Sequence, residues 1–457
     1  MHFVIPKRYF VSALAFLGFM VMFYLRTNLS IAIVAMTDGK NITVNNKTYF
    51  QKAEFDWNSK EKGFILGSFS YGYFLAPLGG FLANKFGGAT VFGLGLLMTA
   101  ILTILSPIFF RLNFYVFITA RICEGAFEAF SMASSAELFA RWSPPAERAR
   151  LIMYSHSGVF FGSALNYPIS AFIAHRFGWE AIFYFSGAVS LIWYVFWALF
   201  VSNDPASDKF ITNSEKLYLK EKITYMGSEK VIYPWKRMLM SKSIYAYIIH
   251  KFAHAWSFAF TVFCLPWYFK DLYEVNINEI GLVSSIPNIC TIVSQPIAAT
   301  LADYFKSKKI LTSTQIHKLF TCGSYFFAVI LFIVVQSWSK FIGSIICFSI
   351  FRFTVGFSET SYNIMPLDIA PRYASFISGV GSAFYSLGTL LSPLLMGYIV
   401  TEHKQSQWNT FFSLLSGINF CGGTLFFLLV SGELQPWAIS QKAEKDETKK
   451  EISMQLN

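Results

Sequence analysis

The chain has 457 residues, of which 54% are hydrophobic, 19% aromatic and only 14% charged, and its mean hydropathy is +0.46. That balance excludes an ordinary soluble enzyme of this size and points to a membrane protein. The formal net charge of +11 does not signal nucleic-acid binding, because the Lys and Arg are spread over loops instead of forming one basic domain.

Apolar runs of about 20 residues, the length that crosses a bilayer, recur at 10–36, 62–83, 90–110, 114–140, 151–174, 180–201, 243–269, 279–304, 317–337, 341–366, 376–400 and 409–430. They predict an all-α membrane protein with twelve transmembrane helices. The first run is too long, and too close to further spans, for a cleaved signal peptide. Threading the spans with both termini in the cytosol places 23 of the 37 Lys and Arg on the cytosolic side and 10 on the far side, the positive-inside pattern. The far-side loop 37–61 then carries two sequons, at Asn41 and Asn46, as expected of a glycosylated luminal or extracellular face. A third, at Asn28, lies within the first span and is expected to be unmodified. All six cysteines fall inside spans and read as packing residues, without a disulfide framework or metal site.

The longest polar break, 202–242, reads as a cytosolic linker with a short surface helix, for which Thr212 and Glu215 form a capping box. It separates expected six-helix bundles at 1–201 and 243–433, and 434–457 is expected to be a disordered cytosolic tail. The halves repeat faintly. "FLANKF" (81–86) is echoed by "TLADYF" (300–305), which pairs Asn84 with Asp303 at an offset of 219. Arg121, Gly125 and Glu128 are echoed by Arg352, Gly356 and Glu359 at an offset of 231. Two echoes six spans apart imply two pseudo-symmetric six-helix bundles, and such repeats with a midplane site describe a secondary transporter.

Within span 4, Glu124 and Glu128 follow Arg121 by three and seven residues, so all three project within roughly 60° of one helical face. A charge at the bilayer centre costs about 2.5–3.5 kcal/mol, so this face is expected to line an interior cavity instead of meeting lipid. Two carboxylates beside one arginine leave an acid without a dedicated partner, which suits proton coupling. Arg26 adds a second buried cation in span 1.

"GGFLANKFGG" (79–88) resembles the loop signature of the major facilitator superfamily, with Gly80 and Gly87 in place and Asn84 where an Asp is usual. More specific are "LRTNLSIAIVAM" (25–36), "GFILGSFSYGY" (63–73), "RICEGAFEA" (121–129), "RWSPPAERAR" (141–150), "LDIAPRYA" (367–374) and "SGELQPWA" (431–438). In this order they resemble the anion:cation symporter family of sialin, the vesicular glutamate transporters and the sodium-phosphate transporters. The pattern is most similar to sialin. The resemblance implies the major facilitator fold and a proton-coupled carrier of a small organic anion, working as a monomer in the bilayer by alternating access, without enzymatic activity or cofactor. Arg26 and Arg121 would serve the anion and Glu128, assisted by Glu124, the proton; Gly80, Asn84, Gly87 and Asp303 would form the gate loops. Tyr71 and His254 are further substrate-binding candidates, and Tyr73 is named with Tyr71 for the cavity lining.

Departures keep the substrate open. Leu66 stands where the glutamate transporters carry His, His254 where they carry Arg, and Met365-Pro366 where the family usually reads Asn-His. A sodium-coupled phosphate or organic-anion carrier and a vesicular acidic amino acid carrier are the alternatives, with a non-transporting scaffold behind them. The N-terminus shows no acidic dileucine signal, so a lysosomal or vesicular membrane and the plasma membrane both stand. Lys251 reads as a snorkelling side chain. Arg352 and Glu359 read either as the opposite cavity wall or as a pair with each other.

Overall fold

The computed structural model describes residues 6–37, 40–44, 47–51, 54–222, 234–273, 275–338, 340–370 and 373–438. Asn46, Arg372 and the tail beyond 438 lie outside the described residues. Among the described residues the fold is all-helical apart from one hairpin, β1 (Lys40–Val44) with β2 (Lys47–Gln51), paired antiparallel with Asn41 opposite Phe50.

The first half contains α1 (Lys7–Thr37), α2 (Ser59–Gly72), a 3-10 turn (Tyr73–Leu75), α3 (Ala76–Phe86), α4 (Gly88–Leu112), α5 (Phe114–Trp142), α6 (Pro145–His156), α7 (Gly158–Phe177) and α8 (Glu180–Phe200). Across the linker come α9 (Asn213–Lys222) and α10 (Trp235–Leu239). The second half contains α11 (Lys242–Ala259), a π-helical turn (Phe260–Cys264), α12 (Leu265–Tyr273), α13 (Ile277–Ser307), α14 (Ser313–His317), a second π-helical turn (Lys318–Cys322), α15 (Gly323–Ser337), α16 (Phe341–Ile369), α17 (Ala374–Ile399) and α18 (Gln405–Leu429).

Among the described residues, ten helices or joined helices are long and apolar enough to cross a membrane. The other two crossings of the twelve are α5 and the α6–α7 pair. At 29 residues α5 is about 43 Å long at 1.5 Å per residue, and its own interior charges lower its hydropathy. Polar Ser163, Asn166 and Ser170 do the same for α7, and they are buried inside the protein.

Breaks in the helices have local causes. Asn58 and Glu61 close a capping box at the start of α2. Pro77 in the first turn of α3 breaks α2 from its continuation, since proline is tolerated there and not in a helix interior. Pro266 in α12 has no N–H for the Val262 carbonyl four residues back, and the Tyr167 hydroxyl of α7 donates to that carbonyl instead at 2.5 Å.

The spans 4 and 10 echo is steric as well as compositional. A Cβ on Gly125 would overlap the Phe69 carbonyl of α2, and one on Gly356 would overlap Ser294 of α13. Both glycines let a span-4-type helix touch its neighbour's surface.

Contacts between the halves concentrate at the end that carries the hairpin. There Gly63 packs on Pro393 and Gly397, Gly67 on Leu390, and Gly281 on Tyr167 and Ala171, while the Ser70 and Thr389 hydroxyls lie 3.1 Å apart. At the linker end α3 packs on α4 and α5 rather than on α17. A Cβ on Gly80 or Gly379 would meet nothing within 4 Å, and Phe81 is 68% exposed.

The linker helix forms with half of the expected box. Thr212 Oγ1 accepts from the Glu215 amide at 3.3 Å, but the Glu215 carboxylate turns to α1, accepting from the Lys7 amide at 2.6 Å and the Arg8 amide at 3.1 Å. Those amides are unserved donors at a helix N-terminus. All six cysteines are free thiols; Cys123 and Cys421 are exposed, so the expectation of packing inside the helices fails for these two.

Candidate functional site

Arg26, Arg121, Glu124 and Glu128 converge where α1 and α5 meet, and all are buried, with relative exposures of 4%, 1%, 0% and 0%. Sequence spacing grouped both acids with Arg121; in space each acid has its own arginine. Arg121 Nη1 donates to Glu124 Oε2 at 2.5 Å, and Thr103 and Ser106 of α4 donate to Glu124 Oε1 at 3.4 and 3.3 Å. Arg26 Nη1 reaches across from α1 to Glu128 Oε1 at 3.4 Å, and the Tyr73 hydroxyl donates to the same oxygen. Arg121 Nη2 also donates to the Arg26 carbonyl at 3.4 Å, which ties the pairs together. The Phe69 ring sits between both guanidinium groups, 5.2 Å from Arg26 and 4.9 Å from Arg121.

The cluster is unsaturated. Glu128 Oε2, Arg26 Nε and Arg121 Nε are buried without a hydrogen-bond partner, which costs free energy unless a ligand or a change of state uses them. It borders the second half, because the Phe263 ring of the first π-helical turn lies 5.6 Å from Arg26. The expected cavity wall is therefore at the interface between the halves and turned from lipid, but in this conformation its charged atoms are covered.

Tyr71 is not among them. It is 36% exposed and packs near Phe64 at 6.2 Å. Positions 71 and 73 are about 200° apart on a helix, so the face that Gly72 presses against α5 decides which tyrosine reaches Glu128. The sequence named the pair, and packing selected Tyr73.

Across the interface, His254 Nε2 stands 3.4 Å from Glu359 Oε1 without the alignment of a hydrogen bond, and Gln295 Nε2 donates to Glu359 Oε2 at 2.6 Å. Arg352 and Glu359 do not pair with each other. Arg352 Nη2 donates to Asn288 at 3.1 Å, and its main-chain carbonyl accepts from Thr291 at 2.9 Å. Lys251 points its ammonium at the Tyr362 ring, 3.7 Å from the centroid. Leu66 is a buried core residue. Met365 packs with Ile369 and Tyr373 at the linker end, away from Glu359.

A sequence profile described as "Major Facilitator Superfamily" matches residues 14–388. The chain belongs to the major facilitator superfamily. Within it, the chain is 31% identical over 451 residues to "Vesicular glutamate transporter 2" of Homo sapiens, covering 97% of this chain and 77% of that one. "Vesicular glutamate transporter 2.2" of Danio rerio is 32% identical over 446 residues, covering 95% and 76%. These relatives place the chain in the anion:cation symporter group. Solved structures share the fold. A bacterial homolog of the human lysosomal transporter Spinster, in an inward-facing and unoccupied conformation, superposes with a TM-score of 0.73 at 11% identity, covering 94% and 99%. A D-xylose-proton symporter superposes with a TM-score of 0.71 at 14% identity, covering 93% and 99%. The chain is a multi-pass membrane transporter and not an enzyme.

In this major facilitator chain the loop after span 2 is organised differently from its sequence signature. Asn84 is exposed and has no hydrogen-bond partner among the described residues. Asn203, at the start of the linker, serves the turn: it accepts from the Thr90 amide at 3.0 Å and donates to Thr90 Oγ1 at 2.8 Å and to the Phe86 carbonyl at 3.3 Å. Gly87 has φ +93°, and a Cβ there would overlap the Asn203 amide, so this glycine is required twice over. Asn203 escaped sequence reasoning; its one signal was the turn-rich "SNDPAS". In the second half, Asp303 lines a cavity of about 50 Å³ with Lys306, His317 and Asp368. Lys306 Nζ donates to Asp368 at 2.9 Å, and His317 Nε2 lies 3.3 Å from its other oxygen. Burial opposes ionisation of Asp368, but the bonds from His317 and Lys306 outweigh it and hold the carboxyl below its usual range.

Proposed function

We propose that the protein is a proton-coupled secondary transporter of a small organic anion carrying a carboxylate, with its termini in the cytosol. The observation that carries this reading is the shared oxygen of Glu128, held by both Arg26 and Tyr73 while Glu128 Oε2, Arg26 Nε and Arg121 Nε stay unpartnered. Ionised Glu128 neutralises Arg26. A proton on Glu128 removes that charge and frees a guanidinium, which is permanently cationic and shaped for a carboxylate. Anion and proton thus bind together and leave together, and Glu128 re-pairs with Arg26 in the empty carrier. Glu124 stays committed to Arg121 and positions it. Alternating access follows from rocking of bundles 1–201 and 243–433 about this interface.

Uptake into liposomes holding the purified protein tests the reading, with imposed proton and sodium gradients applied separately. Acceleration by an inward proton gradient, lost in Glu128→Gln, is expected; sodium-driven uptake indifferent to pH would sink the coupling assignment. The names of the relatives favour a second reading, transport of glutamate, and labelled L-glutamate belongs in the same assay. We place the hairpin and Asn41 on the luminal or extracellular face, in a lysosomal, vesicular or plasma membrane. A glycan on Asn41, removed by endoglycosidase with a mass shift, checks that side.

A further inference from the structure

Lys251 does not behave as a snorkelling lysine. It lies nine residues into α11, about 14 Å from the start of that helix at 1.5 Å per residue. Its ammonium faces three tyrosine rings, Tyr362 at 3.7 Å and Tyr247 and Tyr385 at 5.7 Å. Its stem lies close enough to α17 that a Cβ on Gly381 would sit 3.2 Å from Lys251 Cγ. No carboxylate among the described residues comes within ion-pair distance of it.

Access distinguishes this lysine from the other interior cations. Arg26 and Arg121 are matched with Glu128 and Glu124, and Arg352 is fully buried against Asn288. Lys251, Tyr362 and Tyr385 are only partly buried, and Gly379, Ser382 and Phe384 of the adjoining stretch of α17 are exposed. The hydroxyls of Tyr362 and Tyr385 have no hydrogen-bond partner among the described residues. Tyr385 is within electrostatic reach of both Arg26 and Glu359, so the tyrosine cage adjoins the Arg26 cluster.

We propose that Lys251 and its tyrosine cage form a second substrate subsite, on the linker side of the arginine cluster, that selects a monocarboxylate carried on a ring or other apolar body. This deepens the anion-carrier reading and rests on it. The ammonium takes the carboxylate as a compact point charge, and the tyrosine faces take the body, as aromatic surfaces do in binding pockets. A second carboxylate on the substrate would meet Glu359, which lies within electrostatic reach of Lys251. Tyr385 then marks the passage from this subsite to Arg26.

The test measures uptake by the full-length protein in liposomes with benzoate, N-acetylneuraminate and L-glutamate as probes. Lys251→Ala is expected to raise KM for the ring monocarboxylates about tenfold or more with kcat changed less than about threefold, and Lys251→Arg to restore most of the affinity. Tyr362→Leu should narrow the preference for ring probes over L-glutamate. An unchanged KM in Lys251→Ala, beside an Arg26→Ala variant that is inactive, overturns the subsite and leaves the carrier reading standing. Where Lys251→Ala abolishes uptake, probe binding followed by thermal shift decides: weakened binding supports the subsite and unaltered binding overturns it. Preference of the unaltered protein for L-glutamate overturns the proposed selectivity, and failure to move any probe overturns both readings.

Discussion

Tyr167 of α7 and Val262 of the first π-helical turn are joined across the two halves by a 2.5 Å hydrogen bond. The bond exists because Pro266 cannot donate to the Val262 carbonyl. One helix defect in the second half is thus repaired by a side chain from the first, near the hairpin-end contacts of α7 with α13. Tyr167→Phe should lower stability by about 1–3 kcal/mol, the cost of orphaning a buried carbonyl. The same variant should loosen the hairpin-end closure. Thermal unfolding in detergent and thiol labelling of cysteines introduced at that end would register the two effects. No change in either would mean the bond does not hold the halves.

Arg121 and Glu124 form a buried i,i+3 pair at 2.5 Å. Removing one partner leaves an uncompensated buried charge, so Arg121→Leu or Glu124→Leu alone should cost about 3–5 kcal/mol. The double variant should be more stable than either single one, because it removes both charges together. A double-mutant cycle by chemical unfolding measures this, and simple additivity of the two losses would contradict the pairing.

Gly125 and Gly356 answer differently to alanine although they occupy echoed positions. At Gly125 the obstruction is the main-chain carbonyl of Phe69, which cannot rotate away, whereas at Gly356 it is the side-chain hydroxyl of Ser294. Gly125→Ala should therefore sharply reduce folded yield. Gly356→Ala should be milder and recover further with Ser294→Ala. Size-exclusion profiles of the three variants would separate the cases.

Outside the spans, Arg8 hydrogen-bonds Glu147 at 2.9 Å. That bond, together with one from Tyr9 and against a smaller opposing effect of burial, holds the Glu147 carboxyl below its usual range. A depressed carboxylate stabilises the fold above its unfolded value, near about 4.3, and loses that contribution as pH falls through the lower folded value. The pair is partly exposed, with side-chain exposures of 12% and 18%, so its worth is about 1 kcal/mol or less. Melting curves of the natural protein and Glu147→Gln should differ by a constant amount above about pH 5 and converge in acid.

Membrane class, the number of spans and the family were legible from residues 1 to 457 alone, because hydropathy and motif order are local properties of a chain. The positions of Arg26, Arg121, Glu124 and Glu128 were legible as well, since a charge inside an apolar run stands out wherever it packs. Their pairing was not. Glu128 finds Arg26 from 102 residues away, and no helical period encodes which acid a guanidinium on another helix will meet. The choice of Tyr73 over Tyr71, of Asn203 over Asn84 and the caging of Lys251 all depend on which faces two helices press together. Neutralising a buried charge is a demand on three-dimensional neighbours, so only the tertiary structure could decide how it is met.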